Sequence, residues 1–226
     1  MTSFTLFQET FALLRRAPLI FGTLALAGQV IIGLFTFVIL GSVTVTEEQM
    51  LAPNTGVIFV LFASLILPQV LSAVLHLAAW DVIKGNPLTI STYITTSIIL
   101  LPQLVLLSIF AGLAVGLGFL LLIVPGFYVL GGVLVLIPTV VIGRAGWRSF
   151  GRAWELSAGK RWTLVGAVLL ASAVTIAVGL VLGFIGGLFG LTLIAEVLAG
   201  ALGIMITAAL ATVAYARLTE DVADVF

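Results

Sequence analysis

Cysteine is absent from these 226 residues, histidine occurs once, and only 8% of the chain is charged. Without cysteine there are no disulfides, no thiolate metal sites and no thiol nucleophile. One histidine alone makes no ligand set for zinc. Lys/Arg and Asp/Glu number nine each, so the chain lacks the basic excess by which nucleic-acid binders are recognised. The shortage of charge has the largest consequence. A soluble domain carries about 25% charged and about 45–50% apolar residues, whereas this chain is 62% hydrophobic with a mean hydropathy of +1.36. Its polar surface is too small to cover a globule in water. The hydrophobic residues are therefore expected to face lipid.

The charges that exist fall in clusters separated by long gaps. No charged residue occurs over 17–46, over 49–80 or over 85–143, and the stretch 162–216 holds only Glu196. The third gap alone would make about 88 Å of helix, nearly three times the hydrocarbon thickness of about 30 Å. It must fold back, and Pro125-Gly126 is the expected corner because Pro ends a helix and Gly permits a turn. The fourth gap is expected to turn at the glycine cluster 186–190. Two single spans and two hairpins predict six transmembrane helices, over 18–40, 56–79, 95–124, 127–142, 163–185 and 191–215. Continuous apolar runs without period-two alternation exclude a transmembrane barrel.

Six spans put the N-terminus, the loops 80–94 and 143–162 and the C-terminus on one side. All nine Lys/Arg fall there, and so do all four Trp. The positive-inside rule then places both termini in the cytoplasm. Glu47 and Glu48 occupy the long outer loop 41–55. The start of the chain does not resemble a cleaved signal, because it is uncharged until Arg15 and its apolar run is too long. Phe4, Phe7, Phe11 and Leu14 recur instead at helical spacing and predict an interfacial helix over 2–16.

The richest segment runs from Arg144 to Trp162. Placed on one helix over 144–158, Trp147, Phe150 and Trp154 share a face, and Arg144, Arg148 and Arg152 cluster beside it. Gly159 supplies a C-terminal cap, followed by Lys160 and Arg161. Such a helix would lie in the membrane plane with its rings at the acyl boundary. Read plainly, it is a connector that obeys the positive-inside rule. Read functionally, Arg144, Trp147, Arg148, Arg152, Trp154, Lys160 and Arg161 bind anionic lipid headgroups or a protein partner.

The same segment carries a resemblance. Pro125-Gly126-Phe127-Tyr128, a span, Ala145-Gly146, Phe150, the run Arg152-Ala153-Trp154-Glu155-Leu156-Ser157, Gly159 and Arg161-Trp162 form a recurring pattern of about forty residues. It resembles the membrane domain fused to some bacterial glycerophosphoryl diester phosphodiesterases, and its stand-alone six-helix relatives of unknown function. In those enzymes the chemistry belongs to a separate soluble barrel. The resemblance therefore implies membrane architecture, an absent barrel, and no catalytic residue to carry over.

Other features point to packing or to transport. Thr175, Gly179, Gly183 and Gly187 make a small-residue stripe, as do Glu196, Gly200, Gly203, Thr207 and Ala211, and Gly112 with Gly116. Such stripes let helix backbones approach in lipid. Glu196 is the one carboxylate within a span, either snorkelling outward or serving as an ion site. Leu67-Pro68-Gln69 is echoed by Leu101-Pro102-Gln103, and kinked helices with polar partners are how transporters build midplane sites. His76 sits one turn from Trp80, as a boundary histidine would. Enzyme motifs fail: Ser157-Ala158-Gly159-Lys160 lacks the first Gly of a phosphate loop, and Gly116-Leu117-Gly118 lacks the third Gly of a dinucleotide fingerprint. There is no Gly-x-Ser-x-Gly and no His-Glu-x-x-His.

The reading is an all-α integral membrane protein, non-enzymatic and without cofactor or metal. It organises lipid or protein partners through a basic cytoplasmic loop. The alternative is a small transporter or channel using Glu196, Gln69 and Gln103, which requires those groups to converge on one cavity.

Overall fold

The computed structural model describes residues 1–41, 47–51 and 54–223. Among them there are ten α-helices and no strand: α1 Ser3–Arg16, α2 Pro18–Leu40, α3 Glu47–Leu51, α4 Thr55–Lys84, α5 Ile90–Leu121, α6 Ile123–Val133, α7 Leu136–Val141, α8 Ser149–Leu156, α9 Arg161–Phe189 and α10 Thr192–Ala223. Counting α6 and α7 as one unit, six are long and apolar enough to cross a membrane, with mean hydropathies of 2.1 to 2.6. Helical backbone pairs its own hydrogen-bonding groups, which lipid cannot do for it, except one turn before Pro68 in α4 and Pro102 in α5.

Local chemistry sets the ends. Pro18 opens α2 at a position whose N–H has no helical partner anyway. The side chain of Asn54 accepts from Val57 N at 2.9 Å and caps α4. At the turn between α9 and α10, Gly190 takes a left-handed φ of 68°, a conformation glycine adopts without penalty. Gly186 and Gly187 remain helical, so the expected glycine corner narrows to Gly190 and Leu191.

The other hairpin turns elsewhere than expected. Helix α5 ends at Leu121, Leu122 is extended, and α6 starts at Ile123. Pro125 thus lies in the first turn of α6 rather than at the corner, because Pro is tolerated where no N–H is needed. The fourth span begins earlier than residue 127 and breaks at Leu134–Val135 before α7. Helices α4 and α9 run beyond the expected limits at both ends, α5 starts before residue 95 but ends short of 124, and α10 starts at Thr192 and runs past 215.

The core lies at the end of the bundle that carries the basic residues. Helix α10 is central: half of its apolar window is buried, against 6% for α9. Ala208, Ala209, Ala211 and Ala214 on α10 are at most 3% exposed, and small side chains are what allow such close approach. Leu75 and Ala78 of α4, Phe21 of α2, Val140 of α7 and Leu164 of α9 close around it. Helix α1 belongs to this core through Leu6, Thr10, Leu13 and Leu14, while Phe4 on another face is exposed. At the opposite end both hairpin tips are apolar and open: Leu120 to Val124 are all more than 60% exposed, and Leu188 and Phe189 are similar.

The glycine stripes are only partly packing seams. A β-carbon added at Gly200 would meet the Gln29 amide at 3.1 Å, and one at Gly203 would meet Thr175 at 3.3 Å. At Gly112, Gly116, Gly183 and Gly187 nothing lies within 4 Å. The tight approaches on α9 are at Gly186, against Ala195 and Leu191 of the hairpin and one position off the expected stripe, and at Gly166, against Ser3 of α1.

Candidate functional site

The chain between α7 and α9 is an elbow and not the single helix expected over 144–158. Arg144 has φ +46° and Gly146 φ +61°, and two left-handed residues so close preclude a helix. A 3-10 turn follows at Gly146–Arg148, closed by Ser149 Oγ donating to Gly146 O at 2.7 Å. Helix α8 then runs only from Ser149 to Leu156, and Gly159, at φ +73°, redirects the chain into α9.

This geometry divides the basic and aromatic residues into two sets. The first set is structural. The Arg161 guanidinium lies 3.7 Å from the Trp154 ring centroid and 4.5 Å from that of Tyr128. It also donates to Trp154 O at 3.0 Å, with Ser157 Oγ at 3.5 Å from its Nε. Ser157 Oγ in turn donates to Gly132 O at 3.3 Å. Trp154 fits into the space left by the missing side chain of Gly132, and a β-carbon at Gly131 would stand 2.6 Å from Arg161 O. Trp162 stands 6.2 Å from Tyr128, ring to ring. Cation–π stacking on a desolvated guanidinium is worth about 2 kcal/mol. Arg161 and Trp154 are thus committed to holding α6 against α8 and α9, and Phe150 packs on the core. Phe150 and Trp154 are thus partly buried in the fold, whereas the helical-wheel reading put them with Trp147 on one outward face.

The second set faces outward. Arg148 and Arg152 line one open groove of about 470 Å³ with Ala145, Gly151 and Glu155. Among the described residues no carboxylate lies within ion-pair distance of Arg144, Arg148 or Arg152. Trp147 is 59% exposed beside them and Trp162 is 54% exposed. Lys160, at the start of α9, is half-buried. Arg144 lines a separate cleft of about 200 Å³ with Thr96, Ile99, Leu100, Gln103 and Gly146, where the elbow packs on α5.

The polar groups of the spans do not converge. Gln69 accepts from Ser108 Oγ at 3.0 Å across the α4–α5 seam. Gln29 faces Gly200 between α2 and α10. Gln103 meets the elbow, its Oε1 buried without a hydrogen-bond partner. Glu196 is exposed on α10. His76 is 3% exposed, with Nδ1 2.6 Å from Ser72 O of its own helix and Nε2 unpartnered. No group of three His, Cys, Asp or Glu able to hold a metal occurs among the described residues.

Three polar contacts escaped the sequence reading. Arg217 of α10 pairs with Glu9 of α1, its Nε donating to Oε2 at 3.0 Å. Asp81 of α4 accepts from Tyr93 of α5 at 2.5 Å and from Asn86 at 3.0 Å. Rare charges at one end of an apolar chain were the available signal, but pairing partners 208 residues apart requires the fold. Comparison with protein-family models, with curated proteins and with solved structures finds no match for this chain.

Proposed function

We propose that this is a multi-pass protein of the bacterial cytoplasmic membrane, with both termini in the cytoplasm, which gathers anionic phospholipid at its basic elbow. The observation that carries the reading is the groove in which, among the described residues, Arg148 and Arg152 have no carboxylate within ion-pair distance, next to exposed Trp147. A cation near an anionic leaflet contributes about 1 kcal/mol, and an interfacial Trp sets the depth at which it meets headgroups. Glu155 lines the same groove and weakens the attraction without cancelling two arginines. The nine cations at one end of the bundle support the orientation. On this reading the protein is a membrane module that organises lipid, and through it partner proteins, and performs no bond chemistry. The resemblance to the phosphodiesterase membrane domain agrees with such a module, and its shared residues make the Tyr128–Trp154–Arg161 clamp that shapes the elbow.

The test is lipid selectivity in a bilayer. The full chain in bilayers containing spin-labelled phosphatidylglycerol or phosphatidylcholine should favour the former, and the preference should fall with salt. Replacing Arg148 and Arg152 by Gln should remove the salt-dependent part of that preference. Equal association in the unaltered protein would remove the proposal. A transport reading has less support, because Gln29, Gln69, Gln103 and Glu196 lie on separate seams or faces.

A further inference from the structure

The cleft at Arg144 differs from the open groove beside it. It is bounded on one side by the elbow and on the other by Thr96, Ile99, Leu100 and Gln103, successive positions on one face of α5. The first two turns of α5, Ile90 to Ser97, are rich in hydroxyls, so this end of the helix suits the headgroup layer. Beyond the cleft the same face becomes apolar and open. Leu106 is 44% exposed, Phe110 59%, Leu113 58% and Leu117 60%. Spacings of three and four residues align these side chains down the helix. One surface therefore passes from a cation, through a hydroxyl and an amide, to a strip long enough for an acyl chain.

Two details argue that the polar end of this surface receives a ligand. Gln103 Oε1 is buried and has no partner, and a buried acceptor left unpaired is costly. Gln103 lines the cleft, and rotation about the last torsion of its side chain, which is soft for an amide, would be needed to present that oxygen there. Arg144 holds φ +46°, where glycine would be easier and a residue with a β-carbon is uncommon. The position carries an arginine whose side chain lines the cleft.

We infer that Arg144, Gln103 and Thr96 form a site for one anionic glycerophospholipid whose headgroup carries a free hydroxyl, with its acyl chain along the Leu106–Leu117 face of α5. The Arg144 guanidinium takes the phosphate, as guanidinium forks do. The headgroup hydroxyl donates to the Gln103 oxygen, and Thr96 offers its own hydroxyl to the phosphate. This inference rests on the lipid-binding reading of the elbow and adds to it a single, saturable site distinct from the open groove.

The experiment uses the purified, delipidated full chain in detergent, titrated with dioleoyl phosphatidylglycerol and followed by native mass spectrometry. The expected result is one retained phosphatidylglycerol, with phosphatidylcholine bound at least tenfold more weakly. Arg144→Gly should weaken that binding at least tenfold without lowering the unfolding temperature, because glycine suits the backbone there. Gln103→Leu should weaken it several-fold, and Thr96→Val supplies the same comparison if the leucine variant is poorly folded. Soluble glycerol 1-phosphate should not displace the lipid. Displacement by it would make the ligand a free phosphate ester and overturn the lipid assignment. Parental binding by Arg144→Gly and by the α5 variants would overturn the site. The double variant Arg148→Gln/Arg152→Gln separates the two claims: it should lose the salt-dependent bilayer preference and keep the single retained lipid. Loss of the retained lipid in that double variant alone would place the site in the groove and overturn this inference while sparing the broader reading.

Discussion

Trp154 lies against Gly132, its six-membered ring filling the space where a β-carbon at position 132 would stand. The contact joins α6 to α8, and the same indole carries the Arg161 guanidinium 3.7 Å from its ring centroid. An absent side chain on one helix thus decides where a cation on another can rest.

Gly132→Ala should displace Trp154 and loosen the stack on Arg161. Overpacking of this kind costs about 1–3 kcal/mol. Gly183→Leu should change stability by less than about 0.5 kcal/mol, since nothing stands within 4 Å of that position. Thermal unfolding in detergent compares the two, and equal losses would refute the assignment of the packing seam to Gly132.

Arg161→Lys should behave as a non-conservative change. Lysine keeps the charge but loses the planar face that stacks on Trp154 and Tyr128 and the donor that reaches Trp154 O. A loss of about 1–2 kcal/mol is expected, with altered Trp emission as the indole loses its cation. A variant with parental stability and emission would show that the stack is incidental.

The Glu9–Arg217 pair ties α1 to α10 from partly exposed positions. A double-mutant cycle with Glu9→Gln and Arg217→Gln should return a coupling of about 0.2–1 kcal/mol. The coupling should shrink in high salt because the pair is screened. A coupling of zero would mean that the pair contributes nothing and that α1 is held by its buried face, Leu6, Leu13 and Leu14.

Orientation can be read with thiol labelling because the chain has no cysteine. Single cysteines at positions 48, 84 and 147 should react with an impermeant reagent in intact cells only at 48. Positions 84 and 147 should react after permeabilisation. External labelling at 147 would reverse the proposed topology.

Much of the fold was legible because lipid imposes simple rules. The charge gaps located all six long helices, and α2 coincides with its expected limits. The errors arose where a residue type has two uses. Pro125 can end one helix or begin the next, and the turn fell at Leu122, whose side chain advertises nothing. Gly183 and Gly132 are the same residue chemically, yet only Gly132 faces a neighbour. The basic segment misled the helical wheel because Arg144 adopts a conformation that sequence assigns to glycine. Arg161 looked like its neighbours in a cationic run, but its surroundings are the faces of Tyr128 and Trp154.

The hairpin tips bear on how the protein is made. Neither the tip of α5–α6 nor that of α9–α10 contains a charge apart from Glu196, which lies beyond the second turn. In the proposed topology almost nothing hydrophilic must cross the bilayer when these four helices enter it. Each hairpin can slide in from the cytoplasmic face as a closed pair, driven by its own apolar surface. The loop with Glu47 and Glu48 is the exception, so translocation of that one segment becomes the demanding step of biogenesis.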